Sequence, residues 1–118
     1  DEDDAKIKFF HRHVRIPCRS HVSCKVAKRT ITGSSANLSM GGLFIAADEK
    51  VDRGDMVDVI FSLPKSPDRL IKAKAQVAWV NPQSKLSPLP VGFGVKFVDL
   101  QENDSIEVND FVNRMFAA

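Results

Sequence analysis

Residues 71–79 constrain the fold of this chain more than any other stretch. Ile71, Ala73, Ala75, Val77 and Trp79 alternate with Lys72, Lys74 and Gln76. Period-two alternation puts one set on each face of an extended strand, whereas a helix would scatter both around its circumference. The segment therefore reads as a half-buried strand, and the same period recurs along the chain. Val22, Cys24 and Val26 alternate with His21, Ser23 and Lys25. Within 56–63, Val57, Val59, Phe61 and Leu63 share one face, with Asp58 and Ser62 opposite. Val91, Phe93, Val95 and Phe97 form a last run. Thr30 to Leu38 is a weaker strand rich in Thr and Ser, and Leu43 to Ala47 is another. Turn chemistry separates these runs at Asp52-Arg53-Gly54-Asp55, at Pro64-Lys65-Ser66-Pro67-Asp68 and in the Pro-rich segment from Asn81 to Pro90.

The period changes once. Val108, Phe111, Val112 and Met115 lie at helical spacing. Asp104 with Glu107 three residues later makes an Asp version of the capping box, which predicts a helix over 104–116. The expected class is all-β with one helix: a six-stranded antiparallel β-barrel capped by a C-terminal α-helix. Closure is expected because an open six-stranded sheet leaves long exposed edges. At 118 residues the chain is one domain with room for a core of its own. Residues 1–10 read as a flexible acidic leader and 11–118 as the barrel domain. The chain opens on Asp1 rather than Met, as an excised domain would.

A net charge of +2 is too small to argue for a nucleic-acid polymer as partner. The distribution says more, since Arg12, Arg15, Arg19, Lys25, Lys28 and Arg29 fall between residues 11 and 29 with no acid among them. Such a run is either a solvated basic face or an anion site. Eight Phe and no Tyr argue against a base-stacking platform for single strands. Cys18 and Cys24 share strand parity, and residues six apart on one strand lie about 20 Å apart, beyond disulfide reach. Free thiols, no membrane-length apolar segment and no signal segment point to the cytoplasm, without membrane insertion.

The histidines and cysteines lack the paired spacing of a zinc site, so no metal is expected. Gly92-Phe93-Gly94 precedes a strand-like run instead of opening a helix, which excludes a Rossmann fingerprint. Ser39 lacks the flanking glycine of a nucleophile elbow, and no spacing pairs an acid with a base. No enzyme is expected. Trp79 shares the parity of Val77 and reads first as a core residue, second as an interface anchor. Phe9 and Phe10 either pack over the barrel or extend a truncated helix, or else they contact a partner, and the residues leave these readings open.

Asn37-Leu38-Ser39-Met40-Gly41-Gly42 follows the basic run. Asn37 and Ser39 would share a face on an extended strand, and the glycines permit a sharp turn or close approach to a ligand. Guanidinium groups facing such a turn can hold a guanine-containing phosphodiester. With the later segments Gly54-Asp55-Met56-Val57, Phe61-Ser62-Leu63-Pro64, Ala75-Gln76-Val77-Ala78-Trp79-Val80 and Gly92-Phe93-Gly94-Val95-Lys96-Phe97, residues 10 to 117 resemble the PilZ domain, the bacterial receptor module for cyclic di-GMP. The family pattern is RxxxR followed by (D/N)xSxxG. The second element is complete in Asn37, Ser39 and Gly42, and the later segments are similar to those of a myxobacterial subgroup that regulates motility, polarity and development.

Arg15 stands where the second arginine of RxxxR belongs, and His11 stands where the first does. The alternative register, Arg15 with Arg19, leaves a shorter gap to Asn37, and the His11/Arg15 register is preferred. The resemblance implies cyclic di-GMP as ligand and a protein partner in motility or signalling machinery. Arg12 and Arg15 would contact phosphate and guanine beside His11, with Asn37, Ser39 and Gly42 shaping the guanine pocket. No cofactor is implied. The departure at His11 suggests a rival function, an adaptor that binds no cyclic di-GMP and works through protein contacts alone.

Overall fold

The computed structural model describes residues 15–81 and 91–117. The leader with Phe9 and Phe10, the residues His11, Arg12 and His13, and most of the Pro-rich segment lie outside them. Among the described residues seven strands and one helix follow in order: β1 (Ile16–Pro17), β2 (His21–Val26), β3 (Arg29–Leu38), β4 (Gly42–Ala46), β5 (Met56–Leu63), β6 (Ser66–Asn81), β7 (Gly92–Leu100) and α1 (Glu102–Ala117).

Every strand pairing is antiparallel. The sheet order is β1-β3-β2-β5-β6-β7-β4, and β3 also pairs with β4. Strands β2 to β7 therefore form a closed six-stranded ring, as the alternation predicts, with no free edge among them. The two-residue β1 is the addition, hung on the end of β3 through Ile16↔Leu38 and Pro17↔Asn37. Inward faces match the period-two runs. Val57, Val59, Phe61 and Leu63 of β5 are buried, as are Ile71, Ala73, Ala75 and Val77 of β6, and they join Ile31, Leu43, Ile45 and Phe93 in one core.

Strand β6 begins at Ser66, five residues before the clear alternation at Ile71. The expected five-residue connection shrinks to Pro64 and Lys65, because Leu63 already pairs with Ser66. The β5–β6 register slips between Phe61 and Leu63, next to Pro67. A residue without an N–H costs the ladder little where the ladder is already broken.

Cys18 and Cys24 do not share a strand. Cys24 lies on β2, whereas Cys18 lies in the connection from β1. That connection is pegged by Ser35, which is only 2% exposed. Its hydroxyl donates to the Cys18 carbonyl and accepts from the Ser20 N–H at 2.9 Å. The buried polar side chain thus bends the chain after β1, a tertiary effect that strand parity does not register. Both thiols are buried and free.

Helix α1 starts at Glu102, two residues ahead of the expected start, and the Gln101 carbonyl accepts from the Ser105 N–H at 2.8 Å. Asp104 therefore lies inside the first turn and does not cap it. Its carboxylate receives Arg69 of β6 at 3.2 Å, and Glu107 stands 3.7 Å from the same guanidinium. Negative charge in the first turn complements the helix dipole, so Asp104 serves both the helix and its docking. Val108, Phe111 and Val112 enter the core, while Met115, fourth in the expected stripe, stays exposed.

Burial pushes the Cys24 thiol up to about 11, with the Asp58 carboxylate adding to the shift. The neutral thiol is the form the core accepts. The folded pKa lies above the unfolded value of 9.0, so its contribution to stability is complete below 9.0 and is lost as pH rises toward 11. Urea unfolding of the wild type and of Cys24→Val from pH 7 to 10.5 should show the steeper alkaline loss in the wild type. Parallel curves would contradict the burial argument.

Candidate functional site

Three local devices build a groove on the outside of the ring. The first is a bulge in β3 opposite β4, between Ser35 and Asn37. One extra residue reverses side-chain parity. Ser35 and Leu38 thus both point inward, and Asn37, between them, is turned toward the outer face. Because Pro17 pairs with Asn37, the residue entering β1, Arg15, arrives beside it. The Arg15 Nη1 donates to Asn37 Oδ1 at 3.0 Å.

The second device is the turn from Ser39 to Gly42. The Ser39 N–H donates to the Gly42 carbonyl at 2.9 Å. The Ser39 Oγ accepts from the N–H groups of Gly42 at 3.1 Å and Gly41 at 3.3 Å. Ser39 thus shapes the turn from within instead of pointing along the strand beside Asn37, as an extended backbone would have it. A Cβ at Gly42 would stand 2.2 Å from the Val95 carbonyl oxygen, so only glycine allows β4 this close to β7 at that point.

The third device is a bulge in β6 between Val77 and Trp79, against β7. It corrects the reading of Trp79 as a core residue. Val77 keeps the inward parity and the extra residue, Ala78, swings Trp79 to the outer face, directly across from Gly94. The indole lies over Gly94, where a Cβ would come within 2.1 Å of Nε1. Phe44 of β4 also points to this face and meets the indole at a centroid distance of 5.1 Å and a 35° tilt. Phe44 is fully buried although it belongs to the outside of the ring. A small second apolar layer therefore floors the groove.

The groove has a volume of about 250 Å³ and is lined by Arg15, Ser39, Gly41, Gly42, Leu43, Ala78, Trp79, Gly94, Val95 and Lys96. Its two charged lining groups, Arg15 and Lys96, are cations. Carbon ζ of Arg15 stands 5.9 Å from the Trp79 ring centroid, within cation–π reach. The site offers an anion two positive groups beside an aromatic floor and a glycine-lined turn.

Of the residues proposed from sequence, the structure brings Arg15, Asn37, Ser39 and Gly42 together, Asn37 acting through Arg15 at the margin. His11 and Arg12 lie outside the described residues. Arg19 lines a separate groove with Pro17, Cys18, Ser34, Ser35, Ala36 and Ala46. Trp79 and Lys96 were missed as site residues, the first because a bulge inverts its parity and the second because alternation says only that it is exposed. Gly94 carried a signal, since a glycine within an otherwise apolar strand often marks a close approach.

Among the described residues no three of His, Cys, Asp or Glu gather as a metal site. No helix there is long and apolar enough to cross a membrane.

This ring and its helix match a known class of module. The chain belongs to the PilZ domain family, the cyclic di-GMP receptor family, whose model matches residues 10–114. PilZ domains are receptor and adaptor modules rather than enzymes. Among solved structures the chain is similar to the Bacillus subtilis inhibitor of motility MotI/DgrA, with a TM-score of 0.75 and 20% identity over 88% of this chain. It spans only 49% of that protein's chain. It is also similar to the PilZ domain of Escherichia coli YcgR solved with c-di-GMP, with a TM-score of 0.65 and 12% identity, covering 90% of this chain and 91% of that one. The PilZ domain of CeSA from a cellulose-synthesizing bacterium aligns with a TM-score of 0.58 and 19% identity, covering 87% and 98% of the two chains. These identities speak for the fold. Curated proteins offer no significant sequence match.

Gly94→Ala tests the outer layer. The added methyl must push the indole off its seat, a change of the overpacking kind, which costs about 1–3 kcal/mol. Denaturant unfolding should show that loss. Trp79 is the sole tryptophan, so its emission should shift red at the same time. Unchanged emission would mean that the indole does not rest on Gly94.

Proposed function

We propose that this chain binds cyclic di-GMP in the Arg15 groove and relays its occupancy to a protein partner in motility or signalling machinery. The observation that carries the reading is the Arg15 guanidinium, held by Asn37 and Trp79 at a cationic groove beside the Ser39–Gly42 turn. A guanidinium offers five N–H donors in a fixed fork, suited to phosphate oxygens and to the acceptor edge of guanine. Asn37 occupies one of them. His11 and Arg12, from the preceding segment, would complete the grip. Lys96 would add a second positive charge for the phosphodiester. Ser39 contributes by holding the turn, its hydroxyl already engaged by two backbone N–H groups, and Gly42 keeps the wall free of a side chain.

Binding would draw the segment before Arg15 onto the groove, and that ordering would be the signal a partner reads. Two of the structural neighbours, a motility inhibitor and a PilZ domain holding c-di-GMP, are consistent with this direction. On this reading the protein would meet its ligand in the bacterial cytoplasm. The likeness of its later segments to the myxobacterial subgroup favours motility, polarity or development as the output.

One observation favours a second reading. His11 stands where the first motif arginine belongs, and a neutral imidazole supplies a single donor where an arginine would supply a fork. On that reading the chain is an adaptor without nucleotide affinity, acting by protein contact, with Phe9 and Phe10 as first candidates for the contact.

Calorimetric titration of the purified chain with cyclic di-GMP separates the two. The receptor reading expects wild-type affinity in the micromolar range or tighter, about −8 kcal/mol. Arg15→Ala should weaken it at least about tenfold, and His11→Arg should strengthen it by about 1–3 kcal/mol, the worth of one charge-assisted contact. Wild-type heats indistinguishable from dilution at millimolar ligand would leave the adaptor reading standing.

A further inference from the structure

We infer that Trp79 is a positioning residue, whose indole holds the Arg15 guanidinium in the orientation a ligand meets. The inference deepens the receptor reading and rests on it only where affinity is concerned; the Arg15–Trp79 contact stands without ligand.

Arg15 is exposed and precedes a strand of two residues, so little of its own backbone restrains it. A long side chain in that setting loses much rotamer freedom when a ligand fixes it. Two contacts limit that loss in advance. Asn37 Oδ1 holds Nη1 at 3.0 Å, and the indole attracts the cation from a centroid distance of 5.9 Å. The hydrogen bond alone is exposed to water and leaves the guanidinium free to pivot about Nη1. An aromatic face supplies what one hydrogen bond lacks, a second point of attraction that limits the pivot. The Asn37 bond uses one of the five N–H donors of the guanidinium.

The indole is itself unusually well fixed for an outer-face side chain. It is seated over Gly94, packed on the fully buried Phe44 and aimed outward by the Val77/Trp79 bulge. A bulge, a bare glycine and a buried phenylalanine together hold one ring that contributes nothing to the central core. Asn37 reaches Arg15 by the other bulge, in β3. Two irregularities on strands that are not neighbours in the ring thus converge on one guanidinium.

Two measurements on the purified chain test this. In the absence of ligand, Arg15→Leu should raise acrylamide quenching of Trp79 emission and shift its maximum, because the indole loses its covering cation. Identical quenching and emission in wild type and Arg15→Leu would overturn the contact. With cyclic di-GMP, Trp79→Leu should weaken binding roughly threefold to tenfold, the range one cation–π contact supplies, while Trp79→Phe, which keeps an aromatic face, should recover most of the loss. Equal weakening by both substitutions, in proportion to lost thermal stability, would overturn the positioning role and leave the ring a packing element. Should the wild type bind no cyclic di-GMP, the receptor reading fails, and the quenching measurement still decides whether Trp79 holds Arg15.

Discussion

Closure of the sheet between β3 and β4 is the constraint on which the rest of this structure depends. The other pairings of the ring would leave an open six-stranded sheet, with β3 and β4 as exposed edges. Bringing them together over Ser34↔Ala46 and Leu38↔Leu43 requires an irregularity, and it falls between Ser35 and Asn37. That single extra residue does two jobs. It lets the strands close while Ser35 stays inside to peg the β1–β2 connection, and it turns Asn37 outward to hold Arg15. Closure and the placing of Arg15 at the groove are therefore consequences of the same backbone event.

The groove repeats this economy on the far side of β4. The Val77/Trp79 bulge in β6 releases the indole from the core, and Gly94 supplies the bare surface on which it lies. The ring thus has its main core inside and a minor apolar layer, Phe44 with Trp79, outside. A rigid aromatic floor beneath two exposed cations differs from a merely basic surface. The indole restricts where the Arg15 charge sits, and a restricted charge recognises a shaped anion better than a mobile one does.

Helix α1 contributes in a different manner. Val108, Phe111 and Val112 complete the core, and this burial anchors the helix far more strongly than its ion pairs do. Arg69 bridges Asp104 and Glu107 from a side chain that is 45% exposed, a setting in which such pairs contribute little energy. Their use is directional: they fix the start of the helix against β6.

Composition and period determined the class of this fold. Alternation in 56–63 and 71–79 could only be strands with one wet face, and the helical spacing from Val108 to Val112 could only be one amphipathic helix. The motif Asn37-Leu38-Ser39-Met40-Gly41-Gly42 marked one wall of the site, because turn chemistry is local and travels with residue type. Tertiary structure decided the rest. Alternation assumes that every residue advances the strand by one position, and a bulge breaks that assumption without leaving a signature in residue type. So the sequence alone put Trp79 in the core and Asn37 beside Ser39 on one face, while the β6 bulge reversed the first and the turn from Ser39 to Gly42 separated the second. Lys96 was legible only as an exposed cation, and its place opposite Gly42 on the neighbouring strand is set by pairing between segments more than fifty residues apart. Local physics chose the elements; long-range register chose which side chains share a groove.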